Sequence, residues 1–372
     1  MVEYVKEYGA KCFKEQPLTV ADSLVLCQIA YFKFERLLFS LEKDGLCPTV
    51  SLRDVVSTMD TEPLFSEDWF GRENQRLFQA LSVSERYLGM YLTCFVNQVK
   101  EELQMQFSAV TYLLDDGTVF VAYRGTDETF IGWKEDFGLA LSAPVWAQQM
   151  AVEYLNTVAK QIKGRLFVAG HSKGGNLAVY GAMRCNPEIQ RGIKVIINLD
   201  GPGLRKEYER ENCYRRMEHK VLRILPYSSV VGMLFESRIP YRVVDCYKKG
   251  LLQHDLFNWK IRQGRLVYRR QLSPKNLRRD SCLNQWIQSL SQEEIRFFTE
   301  SLYEILLSTK TNNTIDFSSN LKKSMIKIVS AFRHMDGIKR KRILGILKQY
   351  YGMKRKQSHV RKRSLLGKRD EK

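Results

Sequence analysis

The most informative segment of the sequence is Leu166-Phe-Val-Ala-Gly-His-Ser-Lys-Gly-Gly-Asn-Leu-Ala-Val-Tyr180. A short apolar run leads into Gly170-His-Ser-Lys-Gly174, and a helix-forming run with small residues follows. The pattern Gly-x-Ser-x-Gly is typical of a strand-to-helix turn so tight that larger side chains at the glycine positions would clash, and it presents the serine hydroxyl at the carboxyl end of a sheet. We therefore predict that Ser172 is a nucleophile. The alternative is a glycine-rich turn without chemistry.

The segments around this turn predict an α/β fold. Runs rich in β-forming residues alternate with helical runs, and a turn signal at Asp115-Asp-Gly117 joins the first two of them as a hairpin. The predicted strands cover 107–114, 118–123, 166–169, 193–199, 220–225 and 241–246. Such alternation indicates a mostly parallel sheet with helices on both faces. Sites form at the carboxyl ends of its strands, where Thr126, Ser172, Asp200 and the loop of His254 would meet.

Helical extensions are expected at both ends of this core. Residues 1–105 are predicted to form a helical layer packed on the core, from apolar spacing over 18–41, 74–80 and 85–100. The hydrolase-like core is predicted over 106–270, a C-terminal helical region over 271–351 with a linker near 309–314, and a disordered basic tail over 352–372.

A serine nucleophile requires a base that takes its proton, and histidine is the usual one. His254 is the candidate, because it follows a strand and a glycine in a loop that ends in apolar residues. Its alternative is a surface-loop histidine. The other four histidines lie inside the turn, ahead of a strand or in the basic C-terminal segment: His171, His219, His334 and His359.

The base in turn needs a carboxylate that fixes its tautomer. We predict Asp200, which ends the strand after the nucleophile helix and precedes the sharp Gly201-Pro-Gly203 exit. The order Ser172, Asp200, His254 is the order typical of α/β-hydrolases. Asp245 and Asp255 are weaker rivals, and Asp200 has the alternative role of starting a turn, since Asp is common before Gly-Pro.

An oxyanion intermediate needs two positioned donors. One is predicted to be the backbone N–H of Lys173, directly after the nucleophile, and the other to come from Thr126 or Asp127 after the second hairpin strand. Thr126 would add its hydroxyl. The alternative for residues 124–126 is a plain turn that ends a strand.

These motifs resemble known lipase-like families. Val121-Ala-Tyr-Arg-Gly-Thr126, Trp133, Asp136 and Gly170-His-Ser-Lys-Gly-Gly-Asn-Leu-Ala178 are similar to the fungal-type (class 3) lipases. A closer resemblance, over roughly residues 15 to 270, is to the Mbeg-like bacterial family of predicted α/β-hydrolases. It rests on five blocks: Tyr123-Arg-Gly-Thr-Asp127, Gly132-Trp-Lys-Glu-Asp136, Asn198-Leu-Asp-Gly-Pro-Gly203, Leu225-Pro with Ser228-Ser-Val-Val-Gly-Met233, and Gln253-His-Asp255 with Trp259. The resemblance implies serine hydrolase chemistry.

Two positions depart from the class 3 lipases. Those lipases usually have Leu after the nucleophile, and this chain has Lys173, a cation at a helix start where the helix dipole opposes it. We expect Lys173 either to meet an anionic substrate group or to pair with Asp127. The loop that carries the acid in those lipases is here Tyr227-Ser-Ser229, without a carboxylate, and Asp200 instead resembles the arrangement in pancreatic-type lipases.

The composition predicts a folded, cytoplasmic protein. The chain has 372 residues, 44% of them hydrophobic, and neither a signal-peptide pattern nor a run of apolar residues long enough for a bilayer span. Its eight cysteines lack paired metal-ligand spacing, so we expect reduced, mostly buried thiols. No metal and no organic cofactor is implied.

The formal charge of +18 is concentrated at the C-terminus. Residues 322–372 contain 18 Lys or Arg against three acids, whereas the rest of the chain is near neutral. Apolar residues interleave with these cations over 321–351, so one reading is a basic helix on an anionic membrane, which would place the protein at the inner face of that membrane. Nucleic acid is a second reading, although no binding module accompanies the charge. The third is that the helices pack on the core and only the end of the chain is solvated.

The sequence as a whole predicts a serine esterase or lipase. Ser172 would attack a carboxylic ester with an apolar acyl chain, which includes membrane lipids, to form an acyl-enzyme with His254 as base and Asp200 as its partner. The alternative is a catalytically silent hydrolase fold that acts as a membrane- or nucleic-acid-associated scaffold through its basic C-terminal segment.

Overall fold

The structure is a computed structural model that describes residues 1–34, 49–58, 60–65, 70–127, 129–141, 144–235, 237–308 and 321–367. Its centre is a nine-stranded sheet in the order β1-β2-β3-β4-β5-β6-β7-β8-β11. The pairs from β1 to β4 are antiparallel, those from β4 to β8 are parallel, and β11 pairs antiparallel with β8. The strands are β1 Thr49–Ser51, β2 Tyr91–Lys100, β3 Met105–Leu113, β4 Thr118–Tyr123, β5 Arg165–His171, β6 Ile193–Leu199, β7 Val221–Pro226, β8 Tyr241–Val244, β9 Ile261–Arg262, β10 Arg265–Leu266 and β11 Tyr268–Arg269.

Helices cover the sheet, and further helices lie towards the two ends of the chain. The α-helices in the described residues are α1 Val2–Tyr8, α2 Val20–Ile29, α3 Leu52–Thr58, α4 Gly71–Leu81, α5 Glu85–Leu88, α6 Phe130–Gly138, α7 Trp146–Gln161, α8 Lys173–Arg184, α9 Pro187–Gly192, α10 Lys206–Glu209, α11 Asn212–Met217, α12 Pro274–Ser289, α13 Gln292–Leu307, α14 Leu321–His334 and α15 Gly337–Gly367. None of the described helices is both long enough and apolar enough to cross a bilayer.

Two apolar layers hold the helices on opposite faces of the sheet. On one face, Leu24 and Leu26 of α2 belong to the same buried cluster as Tyr112 and Phe120 of the sheet. On the other face, α7 and α8 bury their apolar sides against the strands, with Leu177 of α8 in the second cluster. Because both faces are covered, the central parallel strands are apolar in their middle parts, at residues 166–169 and 195–197. The predicted α/β-hydrolase fold with helices on both faces of the sheet is confirmed, and the sheet is parallel in its middle, from β4 to β8.

The predicted hairpin is present, and its turn depends on a glycine. β3 and β4 pair antiparallel, and Gly117 between them has φ +80°, a conformation that glycine adopts without steric cost. The chain thus turns back at the place that the Asp-Asp-Gly signal indicated.

The prediction of a helix over residues 85–100 was wrong. The helix there is only α5, and β2 then forms the longest strand of the sheet, paired with β3. Leu88, Leu92, Val96 and Val99 have helix-compatible spacing, but pairing with β3 fixes the segment as a strand. The sheet therefore begins before residue 106, the boundary that the sequence suggested.

The C-terminal segment also differs from expectation. α15 continues to Gly367, so residues 352–367, predicted to be disordered, are helical. The predicted linker at 309–314 lies outside the described residues.

Cys94 forms a disulfide, contrary to the expectation of reduced thiols. Among the described cysteines, the free ones are Cys12, Cys27, Cys185, Cys213, Cys246 and Cys282.

Candidate active site

Ser172 occupies a sharp turn between β5 and α8. Its φ of 57° and ψ of −131° lie in a region that residues with a side chain rarely adopt. The flanking glycines are required, because a Cβ at Gly170 would lie 2.1 Å from the carbonyl oxygen of Gly174, and one at Gly174 would lie 2.0 Å from that of Tyr123. The backbone N–H of Ser172 donates to the carbonyl of Leu199 at 3.0 Å, which ties the turn to the end of β6.

Asp200 and His254 form a hydrogen bond. Nδ1 of His254 lies 2.7 Å from Oδ2 of Asp200, which directly follows β6 and is almost fully buried. The other carboxylate oxygen, Oδ1, accepts from the hydroxyl of Ser229 at 2.5 Å and from the backbone N–H of Gly232 at 3.2 Å. A carboxylate held by three donors has a fixed orientation, and it fixes the tautomer of the imidazole that it binds.

The two rival carboxylates have other partners. Asp245 binds Lys260 and Arg269 at 2.8 and 2.7 Å, and although partial burial opposes the shift, these hydrogen bonds lower the pKa of Asp245 to about 2. Asp255 accepts from the backbone N–H of Phe257 at 2.8 Å and caps the short helical turn Leu256–Asn258. Neither carboxylate binds the imidazole of His254.

His171, set aside in the sequence as part of the turn, has a role of its own. Its Nε2 lies 2.8 Å from the backbone carbonyl oxygen of His254, so Nε2 carries the proton and donates it. Nδ1 is then an acceptor, and the hydroxyl of Tyr31 donates to it at 2.9 Å. Burial, and then the neighbouring His254, hold the pKa of His171 well below its usual value, so this imidazole is neutral.

The loop after β4 lies against the nucleophile turn. A Cβ at Gly125 would meet the Tyr31 hydroxyl at 2.3 Å, the carbonyl of His171 at 2.8 Å and Cβ of Ser172 at 3.0 Å. Lys173 is the first residue of α8, so its backbone N–H has no acceptor within the helix. The loop that carries Thr126 and the start of α8 therefore both lie beside Ser172.

The hydroxyl of Thr126 has a different partner from the predicted one. It donates to Oδ2 of Asp136 at 2.6 Å, so its proton is not available to an oxyanion. Burial raises the pKa of Asp136 to about 6, against the opposing effects of Lys173 and of this hydrogen bond. The backbone of Thr126 is then the part of this residue that remains available for an oxyanion.

The side chain of Lys173 is buried beneath the site. Nζ donates to the side-chain and backbone oxygens of Gln106 at 2.6 and 2.8 Å and forms an ion pair with Glu135 at 3.0 Å. Glu135 also accepts backbone hydrogen bonds from Gln106 and Ala147. The expected pairing with Asp127 was wrong, since Asp127 binds Arg124 and Thr129.

Exposed apolar side chains lie on the segments that carry the site. Leu251 and Leu252, 68% and 60% exposed, belong to the short helical turn Gly250–His254. Trp133 and Phe137 are exposed on α6, the helix that follows the loop of Thr126. Within the described residues no cluster of His, Cys, Asp and Glu has the arrangement of a metal site.

Comparisons with known proteins agree with the resemblance seen in the sequence. A family model described as Mbeg1-like matches residues 81–304, more than half of the chain. No curated protein matches the sequence. Among solved structures, the crystal structure of M37 lipase is similar with a TM-score of 0.36 at 12% sequence identity, covering 58% of this chain and 69% of the lipase chain.

Proposed function

The chain belongs to the Mbeg1-like family, and on that premise we propose that it is a serine hydrolase that cleaves carboxylic esters. The observation that supports this proposal is the 2.7 Å hydrogen bond between His254 and the buried Asp200, next to a serine in a strained strand-to-helix turn. Strained backbone concentrates at functional sites, and the pairing of base and carboxylate is what a serine nucleophile needs.

The proposed reaction begins at Ser172. In the neutral tautomer whose Nδ1–H donates to Asp200, Nε2 of His254 is the acceptor, and it takes the proton of the serine hydroxyl as the serine oxygen attacks the ester carbonyl. The protonated His254 then gives this proton to the leaving alcohol. Water, activated by the same histidine, releases the acid from the acyl-enzyme.

The oxyanion formed at the ester carbonyl would be held by backbone donors. We assign this role to the N–H of Lys173, at the start of α8, and to that of Thr126 in the loop packed on Ser172. Donors fixed in place before the reaction stabilise the developing charge without reorganisation.

We propose a substrate with an apolar acyl chain. The leucines beside His254 and the aromatic residues after the Thr126 loop expose apolar surface on two segments that carry the site. An acyl chain that covers these side chains on binding would remove apolar area from water, which contributes about 25 cal/mol per Å².

Labelling with a fluorophosphonate probe tests the proposal. We expect folded wild-type protein to be labelled, and the label to be lost in both Ser172→Ala and His254→Ala. Turnover of p-nitrophenyl esters should disappear in the same two variants. Unlabelled, folded wild type, or equal labelling of Ser172→Ala, would contradict the proposal. The first of these results is the one expected of the catalytically silent scaffold.

A further inference from the structure

The last two helices carry a large excess of positive charge. Residues 321–367 contain fifteen Lys or Arg and a single acid, Asp336. Oδ1 of Asp336 accepts the backbone N–H groups of Ile338 and Lys339, so it serves as the cap of α15. The charge of these helices is therefore not balanced by acids of their own.

One side of α15 is fixed to the body of the protein. Ile343 and Ile346 are buried, and Nε1 of Trp286 on α12 donates to the backbone carbonyl of Ile346 at 3.1 Å. Lys339 and Arg342 form ion pairs with Glu304 and Glu293 of α13. These contacts set the rotation of the helix and decide which side chains point away.

The opposite side of α15, the outer face, alternates cations with apolar groups. It consists of Lys341, Leu344, Lys348, Tyr351 and Arg355, all exposed. Their spacing of three and four residues places them on one stripe of the helix. Leu344 and Tyr351 are 42% and 60% exposed, and Ile338 at the start of the helix is 81% exposed.

α14 has the same character. Met325, Ile326 and Val329 are exposed along it, and Lys327 and Arg333 lie beside them. The two consecutive helices therefore present large apolar side chains within a basic surface.

We propose that the outer face of α15, together with the exposed side of α14, binds an anionic lipid surface. Lysines and arginines near such a surface are attracted to its headgroups, while Leu, Ile and Tyr enter the interfacial region. A nucleic acid backbone would be attracted by the same cations but would leave the exposed apolar side chains in water. The binding is independent of the proposed ester hydrolysis, because no residue of the outer face belongs to the site.

Vesicle sedimentation of the full chain tests this proposal. We expect wild type to sediment with vesicles of phosphatidylcholine and phosphatidylglycerol and to stay in solution with phosphatidylcholine alone. Raising the salt concentration shortens the screening length from about 10 Å at 0.1 M to about 3 Å at 1 M and should release the protein. Ser172→Ala should bind as wild type does, which separates this test from that of the enzyme.

Two sets of variants assign the binding to the outer face. Each cation contributes about fivefold to partitioning, so Lys341→Gln with Lys348→Gln should lower the partition coefficient about 30-fold. The matched control, Lys163→Gln with Lys194→Gln, removes two exposed lysines near the starts of β5 and β6, outside α14 and α15, and should leave the partition coefficient unchanged. Leu344→Gln with Tyr351→Gln should also weaken binding to vesicles.

Three results would overturn the proposal. The first is equal sedimentation with neutral and anionic vesicles, or none with either. The second is tighter binding to double-stranded DNA than to anionic vesicles, with the Leu344 and Tyr351 variant unaffected in both assays. The third is a dimer in light scattering that the outer-face variants dissociate, since a second copy would then be the occupant of this face.

Discussion

Nε2 of His171 donates a hydrogen bond to the backbone carbonyl of His254 at 2.8 Å. The residue before the proposed nucleophile thus holds the loop of the proposed base, and the two imidazole rings lie 4.6 Å apart. The hydroxyl of Tyr31, which donates to Nδ1 of His171, fixes the tautomer on which this contact depends. The relative position of nucleophile and base therefore rests on a buried, neutral imidazole.

Tyr31→Phe tests this positioning role. Without the phenol hydroxyl, Nδ1 of His171 loses its hydrogen-bond donor. The tautomer with the proton on Nδ1 then becomes accessible, and in that tautomer Nε2 cannot donate to the carbonyl of His254. A hydrogen bond contributes about 1 kcal/mol, so we expect kcat to fall roughly fivefold with KM unchanged. Tyr112→Phe is the control, because it removes a buried hydroxyl that binds the backbone carbonyl of Leu26 away from the site. Equal kcat values for the two variants would refute the role of Tyr31.

Gly125→Ala should displace the loop that carries the proposed oxyanion donor. The added Cβ would lie 2.3 Å from the hydroxyl of Tyr31 and 2.8 Å from the carbonyl of His171, so the loop must move away from Ser172. Loss of one oxyanion donor costs on the order of 100-fold in kcat. Gly89→Ala adds a Cβ with no heavy atom within 4 Å and should keep wild-type activity. Ester turnover measures both, and full activity of Gly125→Ala would exclude this loop from the site.

Asp200→Asn should leave the fold intact and remove most of the activity. The amide retains the shape of the carboxylate but does not hold the His254 tautomer or stabilise the imidazolium, which costs about 10⁴ in kcat in a serine protease triad. Asp255→Asn is the matched control, because that carboxylate accepts from the backbone of Phe257 and the side chain of Asn258 in its own turn and does not bind the imidazole of His254. Steady-state kinetics should separate the two. The assignment of Asp200 fails if the variants lose activity to the same extent.

Lys173→Met should destabilise the fold, because it leaves Glu135 buried without its cation. Removing one partner of a buried ion pair costs about 3–5 kcal/mol in the free energy of unfolding, and neutralising both partners usually recovers much of it. We therefore expect urea unfolding to show a large loss for Lys173→Met and a much smaller one for Lys173→Met with Glu135→Gln.

The same double variant tests whether the ammonium contacts substrate. Nζ of Lys173 is buried among protein oxygens, so the ratio of turnover of anionic to neutral esters should not change. A specific loss of activity on anionic esters would restore the alternative that Lys173 binds an anionic substrate group.

Asp136→Asn should become more stabilising as the pH rises. The pKa of Asp136 is raised from 3.8 to about 6, so the folded protein binds this proton more tightly than the unfolded chain does. Ionisation of Asp136 therefore destabilises wild type progressively from about pH 4 to about pH 6, by about 1.4 kcal/mol per pH unit and about 3 kcal/mol in all. The amide of the variant does not ionise and still accepts from Thr126. Urea unfolding across this pH range should show that the difference in unfolding free energy between Asp136→Asn and wild type grows with pH. A difference that stays constant would contradict the burial of an ionised Asp136.

Local patterns predicted the parts of the fold that local sterics determine. Close contacts around the turn of Ser172 require Gly170 and Gly174, and the turn between β3 and β4 requires Gly117. The nucleophile turn and the hairpin could therefore both be predicted from the sequence. β2 could not be predicted in this way, because its apolar spacing fits a helix as well as a strand. Its pairing with β3 determines that it is a strand.

The partners of the site residues are determined by distant parts of the chain. Tyr31 and His171 are 140 residues apart, and no pattern around either residue indicates their contact. The sequence offers Asp127 as a partner for Lys173, but the ammonium pairs with Glu135 on the buried side of α6. The carboxylate for His254 stayed open among three candidates until the ends of β6 and β8 were in place.

The conformation of Ser172 has an evolutionary consequence. At φ 57° and ψ −131° a glycine would be the least costly residue, so Ser172→Gly should raise the stability of the protein while it removes the hydroxyl. A lineage that used this fold only as a scaffold would gain stability from that replacement and lose nothing. Selection for the hydroxyl would therefore keep serine at position 172, although glycine would give a more stable protein.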